Sequence, residues 1–139
     1  MRAPAALRLL AAALAGAMLA GCGLQPVGAP EADLAAARHV CDAQYPRRIG
    51  NYLRHALCFN AAVERHAIPT ARYPDLVRLQ EEARVRLAEK VDRRQIGVQT
   101  GEHRMREADT LVAAAGRERD AGKEDGARRR LAAIDALLR

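Results

Sequence analysis

From Glu31 onward the apolar residues recur every three or four positions, and no stretch alternates residue by residue as a half-buried strand would. The clearest segment begins at Pro74. Leu76, Leu79, Ala83, Leu87 and Val91 fall on one face of a helix, and Glu82 with Arg86 and Glu89 with Arg93 stand four apart on the other. Pro74 suits the first helical position and Asp75 the positive end of the helix dipole. Gly97 is expected to end this helix and Thr100 to cap the next, over Gly101 to Glu118, whose stripe is Met105, Ala108, Val112 and Ala115 with Leu111 beside it. Asp120 to Gly126 reads as a polar, glycine-containing loop, after which Ala127, Leu131, Ile134 and Leu138 mark a final helix. A loop of that length would let the last helix dock on a partner instead of the bundle.

Upstream, Leu34, Ala37 and Cys41 give a helix over Glu31 to Ala43, punctuated by Tyr45-Pro46 and Gly50. A second helix starts near Asn51, a good capping residue, and stops by Ile68-Pro69. Its stripe is Leu53, Ala56, Val63 and Ala67, widened by Tyr52 and Phe59. The pattern therefore predicts one all-α domain, a small bundle of about five helices over residues 31–139. These faces are rich in alanine and short of large side chains, so the core should be thin and would benefit from a staple.

The N-terminal residues follow a different pattern. Arg2 and Arg8 precede or flank an alanine- and leucine-rich run, Leu9 to Leu19, that falls short of the roughly 20 apolar residues a membrane span needs. A basic start, a short apolar stretch and small residues after it make a secretory signal. Gly23 to Pro30 (GLQPVGAP) has no charge, two Gly and two Pro, and reads as a tether with a reach of at most about 26–29 Å.

Leu19-Ala20-Gly21-Cys22 resembles the lipobox of bacterial lipoproteins. The resemblance implies that residues 1–21 are removed, that Cys22 is lipidated on sulfur and acylated on its new N-terminus, and that residues 22–30 link the anchor to the domain. Several acyl chains give durable attachment where one is marginal. Gly23 stands where lipoproteins retained in the inner membrane commonly have Asp, which implies an outer-membrane protein with its domain on the periplasmic face. Braun-type lipoproteins attach to the wall through a C-terminal lysine, and Leu137-Leu138-Arg139 departs from that pattern. Further along, Cys41-x3-Tyr45-Pro46, Gly50-Asn51, Ala56-x-Cys58-x-Asn60-Ala61, Tyr73-Pro74-Asp75-Leu76 and Leu87-Ala88-Glu89-Lys90-Val91-Asp92 resemble small uncharacterised lipoproteins of alphaproteobacteria. That likeness covers residues 41 to about 110 and lends no activity.

With Cys22 assigned to the anchor, Cys41 and Cys58 are the remaining thiols, and in an oxidising compartment they are expected to form a disulfide. The alternative is a metal set of His39, Cys41, His55 and Cys58, but His39 and Cys41 are two apart and do not share a helix face. No cofactor or metal is expected. The chain has no serine, which removes serine-nucleophile catalysis, and CxxC is absent. Its one Phe and three Tyr give no stacking platform for single-stranded nucleic acid. His66 and His103 read as exposed. Glu64, Glu81, Glu82, Glu89 and Asp92 read as charges on solvated faces among arginines rather than a catalytic carboxylate pair.

The basic runs Arg84-Val85-Arg86, Arg93-Arg94 and Arg128-Arg129-Arg130 can meet anionic lipid head groups, although interspersed acids favour a mixed-charge surface. Nucleic acid is excluded as a partner by the exported location. The expectation is a non-enzymatic helical interaction or scaffolding module, held to the membrane by lipid and serving an envelope protein. The alternative is a small-ligand or metal-binding lipoprotein.

Overall fold

The computed structural model describes residues 30–139. The expected signal segment 1–21, Cys22 and the expected tether up to residue 29 lie outside the described residues. Five α-helices follow in order: α1 (Pro30–Gln44), α2 (Tyr52–His66), α3 (Pro74–Asp92), α4 (Val98–Asp120) and α5 (Glu124–Leu138), with a short 3-10 turn at Ile68–Thr70. The chain is all-α, as its periodicity predicts. No described helix is long and apolar enough to cross a membrane.

Each helix packs chiefly on its neighbours in sequence. Among the described residues α1 touches only α2, α2 and α4 both pack on α3 without meeting each other, and α5 packs mainly on α4 with a lesser contact to α3. The apolar stripes account for this. Leu76, Ala83 and Leu87 of α3, Ala108, Val112 and Ala115 of α4, and Ala127, Ile134 and Leu138 of α5 form one buried core. Cys41 of α1 with Phe59 and Val63 of α2 form a second, much smaller one. Alanine at Ala83, Ala108 and Ala115, all without exposed surface, leaves room for close helix approach. Ile134 fills the space that remains.

Helix ends depart from the sequence expectation in three places. Helix α3 stops at Asp92, short of Gly97, because Arg94 adopts a left-handed conformation (φ 58°). There the Arg94 and Gln95 amides donate to the carbonyls of Val91 and Lys90 in a Schellman arrangement. Gly97 instead precedes α4, and Thr100 lies inside that helix rather than capping it. The polar segment Asp120 to Gly126 is mostly helical, leaving Ala121, Gly122 and Lys123 as the connection. Gly122 supplies the left-handed turn (φ 68°) that ends α4.

A further departure follows from that short connection, since it gives α5 little slack and the helix packs in the bundle. Its far end is tied as well: Lys90 Nζ of α3 donates to the Leu138 and Arg139 carbonyl oxygens at 2.7 and 2.6 Å. The exposed pairs Glu82–Arg86 and Glu89–Arg93 form as their spacing predicts.

Candidate functional site: an arginine-rimmed cleft

Two neighbours of α3 that do not touch leave a groove above it. Leu87, Ala88 and Val91 of α3 form its floor, Tyr52, His55, Ala56 and Phe59 of α2 one wall, and Val98, Gly101, Met105 and Asp109 of α4 the other. The volume is about 410 Å³. Gly101 sets how closely the second wall approaches, because a Cβ there would lie 2.7 Å from Val91 Cγ2.

The rim is cationic. Arg38 from α1, Arg47 from the α1–α2 connection, Arg84 from α3 and Arg106 from α4 line the opening, with Glu102 as a counter-charge beside them. Arg38 and Arg84 stand over the same ring, their guanidinium carbons 4.6 and 4.8 Å from the Phe59 centroid. Burial, foremost, lowers the Arg84 pKa; the nearby Asp109 and Glu81 support its charge and Arg38 opposes it. Arg84 hydrogen-bonds to Asn60 Oδ1, and Asn60 Nδ2 donates to the Glu81 carbonyl at 3.0 Å. Among the described residues neither Arg38, Arg84 nor Arg106 has a carboxylate oxygen within 4.0 Å, whereas Arg86, Arg93, Arg128 and Arg130 of the basic runs are all paired.

Behind the wall, the α1–α2 hairpin is fastened by three devices. Cys41 and Cys58 are joined, with Sγ–Sγ 2.00 Å and Cα–Cα 5.8 Å. His55 Nε2 donates to Asp42 Oδ1 at 2.7 Å, and that bond, outweighing an opposing desolvation and helped by the His55, Arg47 and Arg38 charges, holds Asp42 below the usual carboxylate pKa. The third device is unexpected. The Asp92 carboxylate, at the end of α3, accepts from the Gly50, Tyr52 and Leu53 amides at 2.6, 3.2 and 2.8 Å. Asn51 occupies the capping position of α2 but makes no side-chain cap, donating to the Pro46 carbonyl instead. A carboxylate from another helix thus satisfies the orphan amides at the α2 start.

The other predicted candidates separate. His39 is exposed, Cys41 and Cys58 are joined to each other and His55 bonds Asp42, so His39, Cys41, His55 and Cys58 are not brought together as a metal set. Among the described residues no three His, Cys, Asp or Glu side chains are grouped to hold a cation. His103 is exposed; His66 is half-buried, 3.9 Å from Asp33.

Two of the acids read as solvated are not. Asp92 is the long-range cap. Glu81 is buried, with Oε1 unpartnered, and desolvation above all, then the neighbouring Glu64 charge, raises its pKa. Glu81 does not line the cleft. Sequence reasoning missed Arg84, Arg106 and Phe59 as a site; the available signal was an arginine beside Ala83, three before Leu87 and four before Ala88, on the flank of an apolar stripe. Compared with known protein families, characterised proteins and solved structures, the chain matches none.

Proposed function

We propose that the chain is a lipid-anchored, non-enzymatic binding module of the cell envelope, with the cleft between α2 and α4 as its working surface. One observation carries this reading: three arginines without carboxylate partners gather over an apolar floor in a cleft of about 410 Å³, a size typical of small-molecule sites. Like charges held close together over one ring cost stability unless a ligand compensates them, and Arg38 and Arg84 share the Phe59 face. The lipobox-like Cys22 supplies the anchor and the outer membrane the location, with the domain in the periplasm. A non-enzymatic role fits the use of these acids, since Asp92 caps α2, Asp42 holds His55 and the buried Glu81 does not line the cleft.

A protein-binding or scaffolding role is the second reading. It is favoured by Val40, Ile49 and Leu57, large apolar side chains of the α1–α2 region that are 62, 50 and 52% exposed.

A photo-crosslinking residue placed in living cells at Met105, in the cleft, at Leu57, on the outer face, or at Ala133, as a control, separates the readings. The cleft reading expects a discrete adduct from Met105 alone; an adduct from Leu57 alone would move the function to the outer face. Intact mass of the membrane-extracted protein tests the anchor: lipid on Cys22 is expected, and an unmodified Cys22 would remove the membrane location.

A further inference from the structure

We propose that the cleft binds a small single-chain amphiphile with a carboxylate head, its alkyl chain lying on Phe59, Leu87, Val91 and Met105 and its head among Arg38, Arg84 and Arg106. The inference rests on the binding-module reading of the same cleft and names its ligand.

Size comes first. At about 30 Å³ per water-sized group, 410 Å³ holds on the order of a dozen heavy atoms, which is the length of a medium-chain fatty acid and well short of a two-chain lipid. Polarity comes second. Ala56, Phe59, Leu87, Ala88 and Val91 are buried along the cleft with the half-buried Met105 beside them, so apart from His55 its inner lining is carbon, a surface that an alkyl chain suits better than a wholly polar anion.

Charge decides the head group. A guanidinium has five donors, and the Arg84 hydrogen bond to Asn60 leaves most of them for an occupant. Arg38 and Arg84 hold like charges over one Phe59 ring, an arrangement that an anion between them relieves. A planar carboxylate matches the guanidinium fork in two-point hydrogen bonding. The acids near the opening set the ligand's charge. Asp109 accepts from Gln80 Nε2 at 3.0 Å and Glu102 is exposed at the rim, so a single negative charge suits the remaining excess better than a multiply charged polyanion. A cationic head would face three guanidinium groups.

The test is calorimetric titration of the full chain carrying Cys22→Ser, with decanoate, decanol, decyltrimethylammonium and decyl phosphate as probes. Decanoate is expected to bind saturably at one site, decanol at least about tenfold more weakly, and decyltrimethylammonium not at all. Arg84→Gln and Arg106→Gln should each weaken decanoate by about tenfold or more, the loss expected of a charge-assisted hydrogen bond. Arg106 is exposed, so its variant keeps the test valid if the half-buried Arg84 position affects folding. Absent saturable binding of decanoate, equal affinity for decanol, or decanoate affinity unchanged in Arg106→Gln would each overturn the proposal. Decyl phosphate binding tenfold tighter than decanoate would overturn the carboxylate assignment. Failure of decanoate together with a Met105 crosslink in cells removes the ligand class and leaves the binding module; failure of both removes both.

Discussion

Helices α3, α4 and α5 are held by carbon, whereas α1 and α2 are held by specific bonds. The first region buries Leu76, Leu87, Val112, Ile134 and Leu138 among alanines that let the helices approach. The second buries Cys41, Phe59 and Val63 and adds a disulfide, the His55–Asp42 bond and the Asp92 cap. Both solutions follow from side-chain supply. A helix pair with a small core recovers little from burial and cannot offset its ordering entropy, so covalent and charged ties take over. The cleft lies along the seam between them, where one wall belongs to each region and α3 serves both.

The largest effect expected is on the carbon-held side. Ile134→Ala empties the most enclosed position and should cost about 4 kcal/mol of unfolding free energy in urea denaturation, with the whole transition shifting. Replacing both Cys41 and Cys58 by alanine should cost about 3 kcal/mol, the loop-closure contribution expected for their separation of 17 residues. Asp92→Ala removes the acceptor of three amides and should cost about 2 kcal/mol, while Asp92→Asn, which keeps an oxygen, costs less. Gly101→Ala should cost about 1 kcal/mol, because the β-branched Val91 that meets the new methyl has little freedom to turn aside. In calorimetry it should also weaken any ligand that uses the cleft.

The smallest effect is in the pH dependence, and its sign differs between two acids. Asp42 is held below its ordinary value of 3.8 by His55, so its stabilisation is complete above that value and is lost as pH falls through the lowered one. Glu81 is raised above 4.5 by burial, so its contribution is favourable below 4.5 and is lost as pH rises through the raised value. Urea midpoints across the acid range should therefore show Asp42→Asn weakening the hairpin near neutral pH with the difference fading in acid. Glu81→Gln should show its gain near neutral pH and none in acid. The reverse pattern in either variant contradicts the assigned cause.

Much of the carbon-held region was legible in the chain. Leu76, Ala83, Leu87 and Val91 are buried as their spacing predicts, and so are Ala108, Val112 and Ala115. The Cys41–Cys58 pairing was legible too, from the number of thiols and the expectation of export. What periodicity does not carry is any feature made by residues distant in sequence. Asp92 caps an amide 42 positions away, and nothing local distinguishes it from Glu89. The end of α3 was misplaced because Arg94, not a glycine, takes the left-handed position. The segment Asp120 to Gly126 read as a loop because Gly126 has low helix propensity. In the fold Gly126 is buried inside the first turn of α5, and a Cβ there would meet only the movable end of the Glu118 side chain. The cleft was invisible for the same reason as the cap: its walls are set by which helices fail to meet.

Hydrogen exchange of the chain before and after thiol reduction tests the division between the two regions most directly. Reduction should release the amides of α1 and α2, residues 30–66, while those of α3, α4 and α5 keep their protection. Equal loss of protection across all five helices would contradict it, since the disulfide would then be supporting a single cooperative core rather than one fastened half.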